Sequence, residues 1–300
     1  MIPGMVAPTA PARVVGIIGD PVAHSLSPRM HTAAFEASGI EWRYVAFRVP
    51  PARLEDAVRG IRALGLAGVN VTIPHKETIM AFLDGVEAPA RRIGAVNTIR
   101  VEDGDLVGYN TDAPGLLDAL TRDGGASMAG ARCLILGAGG AGRSAAFALA
   151  GAEVKAIVLL NRTPERAQEV AARVAEAVPG CAIAAGPLDA ATAARAAEDV
   201  DVIIQATSAT LSAAMGGGGG RAAWLQALQP MLRPGMTVLD MVYTPRRTEL
   251  LAAGAEAGAT VVDGLSMLIY QGARSFELWT GLPAPIPVMR RALDAAERAP

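Results

Sequence analysis

The stretch from Cys133 to Leu149 leaves few options for folding. The apolar run Cys133, Leu134, Ile135 and Leu136 reads as a strand, and Ala145, Ala146, Phe147, Ala148 and Leu149 read as helix. Between them Gly137, Ala138, Gly139, Gly140, Ala141 and Gly142 fit the spacing GxGxxG. Glycines at these places permit a tight turn and let backbone N–H groups approach a pyrophosphate, which then rests on the positive end of the new helix. The strand before and the helix after give the motif the context it needs, so the turn is the candidate dinucleotide site.

Composition narrows the surroundings. A chain of 300 residues is long for a single core and suits two domains. Hydrophobic residues make up 51% but aromatic ones only 4%, so the interior must be built from Ala, Val, Leu and Ile, as layered α/β packing is. A net charge of -2 argues against a nucleic-acid partner. No long uncharged apolar run and no basic-then-apolar leader are present, so the expectation is a cytoplasmic chain with no membrane partner. Cys133 and Cys181 read as free thiols, and His24, His31 and His75 with them offer no zinc spacing, so no metal is expected.

Before the glycine turn, Arg13 to Gly19 is an apolar strand, and Ser27 before Pro28 is a capped helix start. The segments 42–49, 51–64 and 68–73 read as strand, helix and strand, giving βαβαβ and a parallel sheet. Asn70, Thr72, Asn97, Thr98, Asn110 and Thr111 gather at strand ends, where an α/β sheet meets its ligand, and such groups suit a small polyhydroxylated substrate. Asn and Thr in these places also serve simply to satisfy turn backbone. Of the 27 basic residues only Lys76 and Lys155 are lysine, and only lysine can give up its proton. Lys76 follows Pro74 and His75 at an expected helix start, where a cation is mildly unfavourable. Asp112 precedes another helix and could be its N-cap, its partner in acid–base chemistry, or both. Oxidising a secondary alcohol requires removal of the hydroxyl proton, a task that Lys76 and Asp112 could share.

After the turn, Ala156 to Leu160 is a second strand ending in Asn161, Arg162 and Thr163. An acidic residue there would bind ribose hydroxyls and repel a phosphate. Neutral Asn161 and cationic Arg162 instead suit the 2′-phosphate of NADP. The run Gly216 to Gly220 reads as a tolerated surface loop, or as a lid. Gly264 to Thr280 is a long helix with Gln271 on its flank, and a last helix is expected over 290–299. Having no sheet of their own, these two helices are expected to pack back on the first domain.

The segments GDPVAHSLSP, NVTIPHK, GAVNT, GYNTD, GAGGAG, NRT and DGLSMLIYQGARSFELWTG resemble the shikimate dehydrogenase family over nearly the full length. The resemblance implies an α/β fold with residues 1–112 and 264–300 as substrate domain and 113–263 as a Rossmann-like NADP domain. It implies NADP-dependent, reversible reduction of 3-dehydroshikimate to shikimate in aromatic amino-acid biosynthesis, with Lys76 and Asp112 as the catalytic pair. Ser25, Ser27, Thr72, Asn97 and Gln271 would bind substrate, with Asn70 and Tyr243 nearby. Gly137, Gly139, Gly142, Asn161, Arg162 and Thr163 would hold NADP, with Thr207, Met241 and Gly264 nearer the nicotinamide. A homodimer is compatible with it. Gln205 to Thr210 departs from the family's Asn-Ala-Thr-Ser-x-Gly. A dual quinate/shikimate enzyme and a non-catalytic ligand sensor remain the alternatives.

Overall fold

The computed structural model describes residues 13–209 and 222–297; Thr210 and the run Gly216 to Gly220 lie outside them. In chain order the elements begin β1 (Arg13–Gly19), α1 (Ser27–Ala37), β2 (Trp42–Arg48), α2 (Leu54–Ala63), β3 (Gly68–Val71) and β4 (Gly85–Val86). They continue α3 (Ala88–Ile93), β5 (Thr98–Glu102), β6 (Asp105–Tyr109), α4 (Asp112–Asp118), β7 (Arg132–Leu136), α5 (Gly140–Gly151), β8 (Ala156–Asn161) and α6 (Pro164–Ala177). The remainder is β9 (Ala182–Pro187), α7 (Ala190–Ala197), β10 (Val202–Gln205), α8 (Ala223–Leu228), β11 (Thr237–Asp240), α9 (Glu249–Glu256), β12 (Thr260–Val262), α10 (Gly264–Thr280) and α11 (Ile286–Glu297). Two compact units result. The first holds 13–87, 96–109 and 273–297, and the second holds 88–95, 110–209 and 222–272.

The first unit carries a six-stranded sheet of order β2-β1-β3-β5-β6-β4. Its β2-β1-β3 part is parallel, as the βαβαβ pattern requires. β5 runs antiparallel to both β3 and β6, and the turn between β5 and β6 puts Asp103 and Gly104 at φ 50° and 97°. That Asp-Gly pair is a hairpin signal. Helix α11 packs on α1, and the later half of α10 brings Phe276 against Phe35 and Trp279 Nε1 to the Ile99 carbonyl at 2.9 Å. The later half of α10 and all of α11 thus return to this unit, while residues 264–272 of α10 belong to the second, and α11 starts at Ile286 rather than 290, with Pro287 in its first turn, where proline is tolerated.

The second unit's sheet has order β12-β11-β10-β7-β8-β9, and every pairing in it is parallel. Counted from β7 this is the 3-2-1-4-5-6 arrangement of a Rossmann fold, with the switch in direction between β7 and β10. The middles of its central strands β7, β8, β10 and β11 are apolar, which is what helices on both faces demand. Leu134, Ile135, Leu136, Leu159, Ile203 and Val238 are all buried. Cys133 and Cys181 are free and buried, and burial pushes the Cys133 thiol up to about 12. Among the described residues no helix is long and apolar enough to cross a membrane.

Candidate active site

Three helix starts depart from their expected chemistry. Ser27 does not cap α1. It is the first helical residue, and its own N–H donates to Ser25 Oγ at 3.3 Å. Lys76 does not open a helix either, because the only regular element there is a 3₁₀ turn over Thr78–Phe82. Asp112 likewise is the first residue of α4 rather than its N-cap, and Asn110 Oδ1 accepts from Ala113 N–H at 3.0 Å. Asn110 Nδ2 also donates to the Ala95 carbonyl and to Ser144 Oγ on α5, both at 2.9 Å. The helix headed by Asp112 is thereby tied to the helix that follows the glycine turn.

In the first unit, β1 and β3 end side by side, with Thr72 N–H donating to the Ile18 carbonyl at 2.9 Å. The segment beyond β3 is pinned at three points. His75 N–H bonds the Thr72 carbonyl at 2.9 Å, the Lys76 carbonyl accepts from Val96 N–H at 2.8 Å, and the buried His75 ring bonds the Val49 carbonyl at 2.7 Å. Lys76 is half-buried, as are Ser25 and Thr72, while Ser27 and Asn97 are buried. Asn70 is a hub. Its Oδ1 accepts from Tyr44 Oη at 2.7 Å, and its Nδ2 donates to Ser275 Oγ at 2.9 Å, to Thr98 Oγ1 at 3.0 Å and to the Asn97 carbonyl at 3.2 Å. Tyr44 and Ser275 escape a reading of the sequence because this network joins residues up to 205 positions apart.

In the second unit each glycine of the turn has its own reason. Gly137 has φ +107°, a conformation that L side chains avoid. A Cβ on Gly142 would lie 1.9 Å from the Gly137 carbonyl oxygen, so the turn closes only without one. A Cβ on Gly139 would meet nothing within 4 Å. Open space beside the first N–H groups of α5 is what a pyrophosphate needs, so the turn fits a dinucleotide. Asn161 Oδ1 accepts from Ala138 N–H at 3.1 Å, and its Nδ2 donates to the Thr163 carbonyl at 2.9 Å, holding the end of β8 against the turn. Arg162 and Thr163 are exposed just beyond, with Gly140 and Ala141 half-buried.

At the same carboxyl end of the sheet, just beyond β10 and β11, Thr207, Met241 and Tyr243 are half-buried and Gly264 is buried. Asp263 caps α10, accepting from Ser266 N–H at 3.0 Å. A Cβ on Gly115 of α4 would stand 2.6 Å from the backbone nitrogen of Gln271, so α4 and α10 meet backbone to backbone, one turn after Asp112. Gln271 Nε2 donates to the Leu268 carbonyl at 2.8 Å.

A fully parallel sheet of this strand order, with a glycine turn shaped for a pyrophosphate at its switch point, defines a dinucleotide-binding α/β protein. The chain belongs to the shikimate dehydrogenase family. Residues 17–99 match the shikimate dehydrogenase substrate binding domain, residues 119–215 the shikimate / quinate 5-dehydrogenase family, and residues 264–293 the shikimate 5'-dehydrogenase C-terminal domain. The shikimate dehydrogenase (NADP(+)) of Methanopyrus kandleri is 46% identical over 290 residues, covering 95% of this chain and 96% of that one. Shikimate 5-dehydrogenase from Thermus thermophilus, solved with NADP(H) and shikimate, superposes with a TM-score of 0.80 at 37% identity, covering 95% of this chain and 99% of that chain. Quinate dehydrogenase from Corynebacterium glutamicum, solved with NAD, gives a TM-score of 0.83 at 28% identity, covering 95% of this chain and 99% of that chain.

Proposed function

We infer that the chain is an NADP-dependent shikimate dehydrogenase, an oxidoreductase that reduces 3-dehydroshikimate to shikimate reversibly. The observation that carries this is identity of 46% across nearly the whole length to an NADP-dependent shikimate dehydrogenase. The glycine turn and Arg162 supply the matching chemistry on this chain. When bound, NADP supplies or accepts the hydride. The first unit, with Ser25, Ser27, Thr72, Asn97 and Lys76, is the substrate half. The second, with the turn and Arg162, is the cofactor half, and it also brings Asp112, Tyr243 and Gln271.

The roles of the side chains follow from their chemistry. Ser25, Ser27, Thr72 and Asn97 present short neutral groups to the substrate's hydroxyls and carboxylate, with Gln271 and Tyr243 completing the set. Asn70 has its amide nitrogen engaged by three acceptors, so its part is to fix Asn97 and Thr98 in place. Lys76 exchanges a proton with the reacting oxygen, giving it up as the ketone is reduced and taking it back as the alcohol is oxidised. Asp112 is the second member of the proposed acid–base pair. Arg162 pairs with the 2′-phosphate, which a fork of N–H donors suits.

The deciding experiment measures reduced-nicotinamide absorbance with shikimate and with quinate, each in the presence of NADP+ or NAD+. Turnover is expected with shikimate and NADP+. Faster turnover of quinate would move the assignment to a quinate enzyme, and no turnover with any pair would leave a ligand-binding protein.

A further inference from the structure

Strands β10 and β11 are parallel neighbours whose last residues, Gln205 and Asp240, stand in register. Both side chains are 0% exposed, and each folds back over the loop that follows its own strand. Gln205 Oε1 accepts from Thr207 N–H, and Gln205 Nε2 donates to the Thr207 carbonyl at 3.0 Å. Asp240 Oδ1 accepts from Val242 N–H at 2.9 Å. The two side chains then meet, Gln205 Nε2 donating to Asp240 Oδ1 at 3.2 Å. Thr248 Oγ1 closes the far side by donating to Asp240 Oδ2 at 2.8 Å, and the Gln205 carbonyl accepts from Met241 N–H at 2.9 Å.

The remaining strand beside Gln205 carries Leu136 at the paired position, so this layer of the sheet does not call for polarity in general. Buried polar groups persist where their hydrogen bonds are complete. Here the bonds run to the backbone of the two loops that hold Thr207 and Met241. The Gln205 amide spans both its own loop and the neighbouring carboxyl.

We propose that Gln205 and Asp240 form a buried clamp that sets the backbone of Thr207 and Met241 for the nicotinamide end of NADP, making Gln205 a positioning residue. The proposal rests on the proposed NADP-dependent function and on Thr207 and Met241 facing the cofactor, as the family resemblance implies. Thr248 extends the clamp from outside, since it touches Asp240 and caps α9 through Leu251 N–H.

The test uses the full chain with Gln205→Asn, Gln205→Leu, Thr248→Val and Thr248→Ser. NADP+ affinity is measured by calorimetry, alongside thermal melting and amide hydrogen exchange at Thr207 and Val242. Gln205→Asn and Gln205→Leu are expected to weaken NADP+ by ~10-fold or more and to speed exchange at Thr207, with shikimate affinity unchanged. Thr248→Val is expected to weaken NADP+ by ~3-fold and Thr248→Ser to restore it. Variants that melt like the parent, bind NADP+ like the parent and keep Thr207 protected would overturn the clamp. If the glutamine variants do not fold, Thr248→Val against Thr248→Ser decides. If the parent itself fails to bind NADP+, the functional assignment falls. Exchange at Thr207 and Val242 still decides the clamp then, unchanged protection in Gln205→Asn rejecting it.

Discussion

Lys76 rides on a segment fastened at Thr72, at His75 and through its own carbonyl, so its ammonium is presented from fixed backbone. Lys76→Ala is expected to lower kcat by ~10²–10⁴-fold, the usual worth of a placed proton-transfer group, while calorimetry still finds shikimate bound. Arg162 has no hydrogen bond or ion pair among the described residues and so can be removed without disturbing the fold. Arg162→Ala should weaken NADP+ by ~1.5–3 kcal/mol and leave NAD+ binding nearly untouched. His31 offers a test by pH. Its ring is 0% exposed, stacks on Tyr44 at 4.5 Å, and neither ring nitrogen has a partner among the described residues. Burial pushes it from 6.5 down to about 3. The unfolded chain therefore binds a proton that the folded chain refuses. Stability is full above pH ~6.5 and falls as the pH drops toward 3, by up to ~1.4 kcal/mol per unit. Urea unfolding between pH 7 and 4.5 should show that slope, and His31→Phe should flatten it.

The glycine turn makes its prediction as an element. Gly142→Ala drives a methyl into the Gly137 carbonyl and should yield misfolded or strongly destabilised protein. Gly139→Ala fills only open space, so it should melt within ~0.5 kcal/mol of the parent while losing NADP+ affinity in a fluorescence titration. The turn was legible in the sequence because everything it needs is local: an apolar strand, three glycines and a helix within seventeen residues. The same holds for the parallel strands β1, β7, β8 and β10, whose apolar runs stand out. The antiparallel hairpin was less visible, since β5 and β6 are half polar, although Asp103 and Gly104 between them carry its signature. Ala-rich α7 and β9 carry few large apolar residues for a pattern to show, although Asp189 caps α7. Side-chain hubs were the least legible. Asn70 with Tyr44 and Ser275, and Gln205 with Asp240, exist only once distant strands are paired, and no local pattern encodes them.

At the scale of the whole molecule, each unit has its own sheet, and a dinucleotide that binds the folded chain alone must stabilise it by mass action. NADP+ at about 100 times its Kd should add ~2.7 kcal/mol, seen as a rise of several degrees in Tm, with NAD+ at equal concentration giving a smaller rise. The path of the chain has a consequence of another kind. Helix α10 begins in the second unit and ends in the first, which draws Ser275, Phe276 and Trp279 from it and Met289 and Leu293 from α11. During synthesis the second unit has all twelve residues of its α5 and all six strands of its sheet in hand before residue 273 is made. The first unit starts earlier and must wait for the last segment before the Asn70 hub and the Ile99 contact can close. In the order in which a ribosome releases this chain, the half that would hold the substrate is the first begun and the last finished.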